Sequence, residues 1–446
     1  MASLLIRGGT IVTMDSRQPV LKGDVYVEDG EIKAVGEEVP RQAQLEIDAT
    51  GQIVLPGLVQ SHIHLCQTLF RGLADNLTLL HWLKDKIWPL EAAHDEKSVY
   101  YSALLGCAEL VRAGTTSVLD METVHHCDRA FEAARDIGIR ATIGKAMMDE
   151  GENVPTNLLE TTNDSLLNSE KLRLTWHETE NGRLRYAYAP RFALSCSEDL
   201  LREVSKLSQE HDIVVHTHAA ENPEETKIVR KQKGMPNVNY FDELGLTGPR
   251  LALAHCVHLD SDEFQILAKT QTNVLHCPTS NLKLGSGIAN VSLMLEMGIP
   301  VSLGSDGAAC NNNLDMFQEM RLAALLLSRI APGQIQTVKI LEMATLGGAR
   351  ALGLQHQIGS IEKGKRADLC ILDIRKSHAR PTATNLELES IVNTIVWTSK
   401  AEDVQTTIVD GRVLMRDRTL VTINEEAMLR KSDKCIQQLV KRADIS

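Results

Sequence analysis

The chain has no Cys-x-x-Cys pair, and its nine cysteines, an odd number, are scattered over 446 residues. That absence excludes thiolate zinc clusters and thioredoxin-like chemistry, and the dispersed usage fits a reducing compartment. No run of about 18 apolar residues occurs, so no membrane-spanning helix is expected. Met1-Ala-Ser-Leu-Leu-Ile-Arg-Gly-Gly9 is apolar too briefly for a secretory leader. A cytoplasmic location follows as the expectation. Positive charge falls short of negative, for a formal net charge of −12. This balance argues against nucleic acid or an anionic membrane as the main partner. Internal repeats and low-complexity segments are also missing.

What is present reads as a large globular enzyme. Hydrophobic residues make up 43% and charged residues 24%, which are ordinary values for a packed soluble chain. Residues 1–55 are short β-type runs broken by turns: Leu4-Leu-Ile before Gly8-Gly9, then Ile11 onward, then Val25-Tyr-Val with Asp29-Gly30. The texture returns in 361–446, in Ala367 to Asp373, Ile391-Val-Asn-Thr-Ile-Val396, Val404 to Val409 and Asp410-Gly411, before a terminal helix. Residues 56–360 alternate apolar runs with amphipathic segments, eight strand-plus-helix units in all. The expected fold is α/β: a (β/α)8 TIM-type barrel, with a small β-sandwich domain built from both chain ends.

Strand ends expected near His64, Met121, Lys145, Pro190, His218, His255, His276 and Asp306 carry the chemistry. In Leu55-Pro-Gly-Leu-Val-Gln-Ser-His-Ile-His-Leu65, His62 and His64 sit two apart, so both imidazoles face one side of a strand. Ile213-Val-Val-His-Thr-His-Ala-Ala-Glu221 supplies His218 and Glu221. Leu251-Ala-Leu-Ala-His255 and Val301-Ser-Leu-Gly-Ser-Asp306 end on His255 and Asp306. Barrel active sites lie at this carboxyl end. His62, His64, His218 and Asp306 form a ligand set suited to one divalent ion, Zn2+ first and Fe2+ second. Such an ion draws the pKa of water toward neutrality. Glu221 is placed to shuttle a proton, and His255 to hydrogen-bond the activated water. Taken singly, Asp306 also fits a helix N-cap and His255 a satisfied core histidine. His216 shares the face of His218 and reads as a filler of the barrel layer.

These motifs, with Ala-His255-Cys-Val-His and the late Gly359-Ser-Ile-Glu-Lys-Gly-Lys-Arg-Ala-Asp-Leu369, resemble the amidohydrolase superfamily over nearly the whole chain. The pattern is similar to its mononuclear aminohydrolase branch, which includes S-adenosylhomocysteine/methylthioadenosine deaminases, guanine deaminases and triazine hydrolases. The resemblance implies that His62, His64, His218 and Asp306 are ligands, that Glu221 is the general acid/base, and that His255 assists the water. It also gives Asp306 a second role, in passing a proton to the departing amine as ammonia leaves an aminopurine-type ring.

The identity of the ring divides the signals. Leu80-His-Trp82-Leu-Lys and Trp88-Pro-Leu-Glu91 resemble the substrate loop of nucleoside deaminases, where Trp82 would stack and Glu91 accept a ribose diol. Gln67, Lys145 in Gly144-Lys-Ala-Met-Met-Asp149, and Arg191 in Ala-Pro-Arg-Phe are similar to guanine deaminases. Arg191 would there donate to an exocyclic oxygen, or otherwise form an ion pair at the barrel mouth. An adenosine-type nucleoside and a guanine-like base both stay open. Two alternatives are an s-triazine amino- or chlorohydrolase and a catalytically silent barrel used as a scaffold. The expected partners are a small amino-heterocycle, water and further copies of the chain in a homo-oligomer.

Overall fold

The computed structural model describes residues 3–333, 336–381 and 387–444. Eight parallel strands form its centre: β1 Leu58–Ile63, β2 Thr115–Met121, β3 Arg140–Gly144, β4 Leu184–Tyr186, β5 Val215–Ala219, β6 Leu251–His255, β7 Asn273–His276 and β8 Val301–Leu303. They pair in two runs, β1 to β4 and β5 to β8. Parallel bridges from Tyr188 to Val215 and from Phe192 to His218 join the runs on one side. On the other, the Asp306 amide donates to the His62 carbonyl at 3.0 Å. The sheet is thereby closed into a barrel.

The strands are buried on both faces, which is what helices outside and side-chain layers inside require. Val59, Leu119, Ala252, Ala254 and Leu275, from β1, β2, β6 and β7, pack together with Ala187 just past β4. The turn into β1 depends on Gly57, where a Cβ would lie 2.1 Å from Thr116 Oγ1 on β2. The helix Glu198–His211 illustrates the outer ring. The Ser197 hydroxyl caps it by accepting from the Leu200 amide, Glu198 and Asp199 occupy its first turn, and Leu200, Leu201 and Val204 face inward.

Strands from both chain ends join in one nine-stranded sheet. Ile53–Pro56 pairs antiparallel with Leu369–Leu372, so the segment leading into the barrel is hydrogen-bonded to the segment that follows it. Two local expectations are corrected. Gly8-Gly9 does not separate two strands; Ser3–Val12 is one strand whose register shifts between Ile6 and Gly9. Ile391-Val-Asn-Thr-Ile-Val396 is helical, within Leu388–Trp397. Its β-branched residues favour a strand locally, but burying Ile391, Val392, Ile395 and Val396 on one face has period 3.6, and packing outweighs propensity. The terminal helix Glu425–Ala443 reaches the barrel, where Arg442 Nε donates to the Ala93 carbonyl at 2.8 Å.

Candidate active site

The ends of β1, β5, β6 and β8 bring His62, His64, His218, His255 and Asp306 together. His64 Nε2 lies 3.2 Å from His218 Nε2. Asp306 Oδ1 lies 3.3 Å from the Nε2 atoms of both His62 and His64. The opposite ring nitrogens are engaged. His64 Nδ1 is 2.8 Å from the Met121 carbonyl and His218 Nδ1 is 2.6 Å from the Arg191 carbonyl. Carbonyls only accept, so both rings carry their proton on Nδ1 and present a bare Nε2 to the centre. His62 Nδ1 is 2.7 Å from His216 Nε2, and its own Nε2 is buried with no hydrogen-bond partner.

Local backbone strain accompanies the cluster. His255 has φ 75°, Asp306 φ 64° and Ala220 φ 50°, all in the left-handed region. Such conformations cost about 1–3 kcal/mol each and collect at functional sites. Gly304 allows the approach of β8 to β1, since a Cβ there would lie 2.9 Å from the His62 amide.

Burial governs the electrostatics. It pushes His62 down to about 4 and lowers His64, His216 and His218 as well. These imidazoles are therefore neutral near pH 7, with lone pairs to offer. Burial alone would raise the Asp306 carboxyl, but the surrounding imidazoles, His62 first and then His64 and His255, hold it well below the usual range. Ser280 Oγ donates to its Oδ2 at 2.6 Å and the Gly307 amide to its Oδ1 at 2.7 Å. Glu221 is pushed up to about 7 by burial, despite His255 nearby. Its Oε2 is 3.5 Å from His255 Nε2, and His255 Nδ1 is 2.8 Å from Asn281 Oδ1. Two carboxyls 85 residues apart thus differ in their affinity for a proton, one ionised and one able to carry it.

A cleft enclosing about 450 Å³, open solvent at its mouth included, leads onto these groups. Leu79, Trp82, Leu83 and Phe192 line it together with His64, His218, Glu221 and Asp306. Trp82 and Arg191 are thus at the cleft, as the sequence leads one to expect. Gln67, Glu91 and Lys145 are not among its lining residues. Glu91 is buried directly behind Arg191: Arg191 Nη1 is 2.5 Å from Glu91 Oε2, and Gln67 Nε2 donates to Glu91 Oε1 at 2.9 Å. Lys145 is buried, and its ammonium is committed to Glu160. Several groups escaped the sequence reading. Glu225 lines the cleft and accepts from the Glu221 amide at 3.1 Å; its spacing four residues after Glu221 was the available signal. Ser280, Asn281 and Ser286 lie in a helix and the loop after it; the stretch 280–287 resembles the nucleoside deaminases, but no ligand-type spacing gives its residues a role.

His62, His64 and His218 offer nitrogens within 4.8 Å of one another, and the nitrogens of His62 and His255 and a carboxylate oxygen of Asp306 form a second such group. The buried, unpartnered Nε2 of His62 and the mixed nitrogen and carboxylate set fit a divalent ion. A profile of the amidohydrolase family matches residues 53–414. The chain belongs to the amidohydrolase family. This amidohydrolase is 39% identical over 440 residues to the 5'-deoxyadenosine deaminase of Methanothermobacter thermautotrophicus, covering 98% of this chain and 99% of that one. It is 35% identical over 446 residues to the 5-methylthioadenosine/S-adenosylhomocysteine deaminase of Pyrococcus furiosus, covering 97% and 100%. Among solved structures, an adenosine deaminase from Xanthomonas campestris with bound zinc superposes with a TM-score of 0.91 at 29% identity, over 99% of each chain. No described helix is long and apolar enough to cross a membrane.

Proposed function

We propose that this amidohydrolase is a metal-dependent deaminase that hydrolyses the amino group of an adenosine-type nucleoside to ammonia. The observation that carries the reading is a cluster of imidazole nitrogens: His62 and His64 Nε2 each lie 3.3 Å from Asp306 Oδ1, His218 Nε2 lies 3.2 Å from His64 Nε2, and Glu221 lies beside them against His255. His62, His64, His218 and Asp306 would hold the ion, with Zn2+ favoured by the donor set. When bound, it supplies the Lewis acidity that makes water a nucleophile near neutral pH.

The remaining steps belong to the chain. Glu221, with its carboxyl at about 7, can take a proton from water and return it to the ring nitrogen beside the reacting carbon. His255, oriented by Asn281, directs Nε2 toward Glu221 and toward Asp306 Oδ2, 3.9 Å away. It is placed to hold the attacking water between them. Asp306, kept ionised, accepts a second proton and passes it to the departing amine. Trp82 offers a flat apolar face to the purine. Arg191 already spends two donors on Glu91, which favours an adenosine-type ring over one whose exocyclic oxygen must be read. Residues 1–55 and 361–446 are read as one composite β-domain, a small sandwich bracing the barrel of residues 56–360. The shared sheet supports this division.

The test is ammonia release from adenosine, 5'-deoxyadenosine, methylthioadenosine, S-adenosylhomocysteine, guanine and an aminotriazine, run beside metal analysis of the same sample. About one equivalent of metal, with turnover confined to the adenosines, is expected. Turnover of guanine or the triazine alone would overturn the substrate class. Turnover that survives complete metal removal would overturn the mechanism.

A further inference from the structure

We propose that His216 is a positioning residue that sets which nitrogen of His62 carries the proton, so that His62 meets the metal ion through a bare Nε2. The proposal rests on the metal-site reading above. His64 and His218 have their protons fixed by the carbonyls of Met121 and Arg191. No carbonyl does this for His62. Its Nδ1 instead faces His216 Nε2 at 2.7 Å, ring planes at 87°, and neither ring is exposed to solvent.

An imidazole nitrogen can donate or accept, so the pair has two neutral arrangements. In one, His216 Nε2–H donates and the His62 proton sits on Nε2, toward Asp306 Oδ1 at 3.3 Å. In the other, His62 Nδ1–H donates to a bare His216 Nε2, and the His216 proton moves to its Nδ1. Only the second leaves His62 Nε2 free to ligate. Each ring keeps one proton in both arrangements, so the charge of the pair does not change.

The second arrangement leaves His216 Nδ1–H without an acceptor among the described residues, since that buried nitrogen has no hydrogen-bond partner. This is a cost that a packing residue would have no reason to incur, and ligation of an ion offsets it. A carbon side chain at position 216 would shift the penalty to His62, whose Nδ1–H would be buried with nothing to receive it.

The test uses the full-length protein stripped of metal by chelation. Zinc affinity is measured by competition with a chromophoric chelator, and the absorption spectrum of the Co2+-loaded protein reports ligand geometry. His216→Phe is expected to bind zinc about 10- to 100-fold more weakly and to show an altered Co2+ spectrum. His216→Gln, whose amide oxygen can reach the position of Nε2, should recover most of both. His216→Asn, which is too short to reach it, should not. Wild-type affinity and spectrum in His216→Phe would overturn the proposal. Should that variant fail to fold, equal affinities for the Gln and Asn variants would overturn it instead. Wild-type protein that binds no ion overturns the metal-site reading itself, a separate outcome from any difference among the variants.

Discussion

Arg191 holds Glu91 through two nitrogens, Nη1 at 2.5 Å from Oε2 and Nη2 at 3.1 Å from Oε1, across 100 residues of sequence. Burial alone would raise the Glu91 carboxyl, but the charge and hydrogen bonds of Arg191 keep it below its ordinary value. Arg191 lines the cleft, and Glu91 braces it from behind. Arg191→Ala leaves a buried, uncompensated carboxylate and is expected to destabilise the fold by about 3–5 kcal/mol. It should also lower kcat/KM for adenosine. Denaturant unfolding and ammonia release check the two effects. Had Arg191 served to read an oxopurine oxygen, stability and adenosine turnover would survive and only guanine activity would fall.

Glu221→Gln keeps the shape of the side chain and removes its ability to carry a proton. Turnover should fall about 10²- to 10⁴-fold while bound metal stays at the wild-type level. His218→Ala removes a ring whose Nε2 faces His64 Nε2 at 3.2 Å and should lose both. Metal content and initial rates on the same preparations separate the two variants. A Glu221→Gln protein with undiminished turnover would remove Glu221 from the proton path.

The site was legible where chemistry coincides with strand periodicity. His62 and His64 are two residues apart, and His218, His255 and Asp306 each close an apolar run, so local pattern alone brings them to one barrel face. The outer helices were legible from their 3.6-residue spacing, as in Cys127–Ile137 and Glu198–His211. Pairings between distant segments were not. Nothing local tells that Lys145 is neutralised by Glu160, or that Arg191 turns to Glu91. His216 was visible on the correct face, but its partner is set by a strand 154 residues away. Glu225 lies among charged residues in Pro-Glu-Glu-Thr-Lys, and the helix Pro223–Lys233 buries it.

The barrel and the large sheet are joined by a buried ion pair. Arg140 on β3 places Nε 2.7 Å from Asp368 Oδ2 and Nη2 3.0 Å from Oδ1, with both side chains 1% exposed. Asp368→Ala leaves the buried guanidinium only its longer contact to Asp410 Oδ1, at 3.3 Å, and is expected to cost about 3–5 kcal/mol. The double variant Arg140→Met/Asp368→Leu removes both charges and should lose less than the single one. Urea midpoints for the three proteins test this. A double variant as unstable as Asp368→Ala would mean that packing, not charge burial, sets the loss.

Glu319 braces the turn that carries Asp306. Its Oε1 accepts from Thr279 Oγ1 at 2.7 Å and from Asn311 Nδ2 at 2.8 Å, and Asn311 Nδ2 also donates to the Ser305 carbonyl at 2.7 Å. Burial pushes the Glu319 carboxyl from its ordinary 4.5 up to about 7. The folded state therefore binds this proton more tightly than the unfolded chain does. The resulting stability is fully present below the unfolded value and is lost as pH rises through the folded one. Glu319→Gln cannot ionise and should lack that decline. Wild-type stability, measured relative to this variant by urea unfolding, is expected to fall between about pH 5 and pH 8. A constant difference across that range would mean that the donors around Glu319 already compensate the carboxylate, and that its ionisation is not resisted by burial.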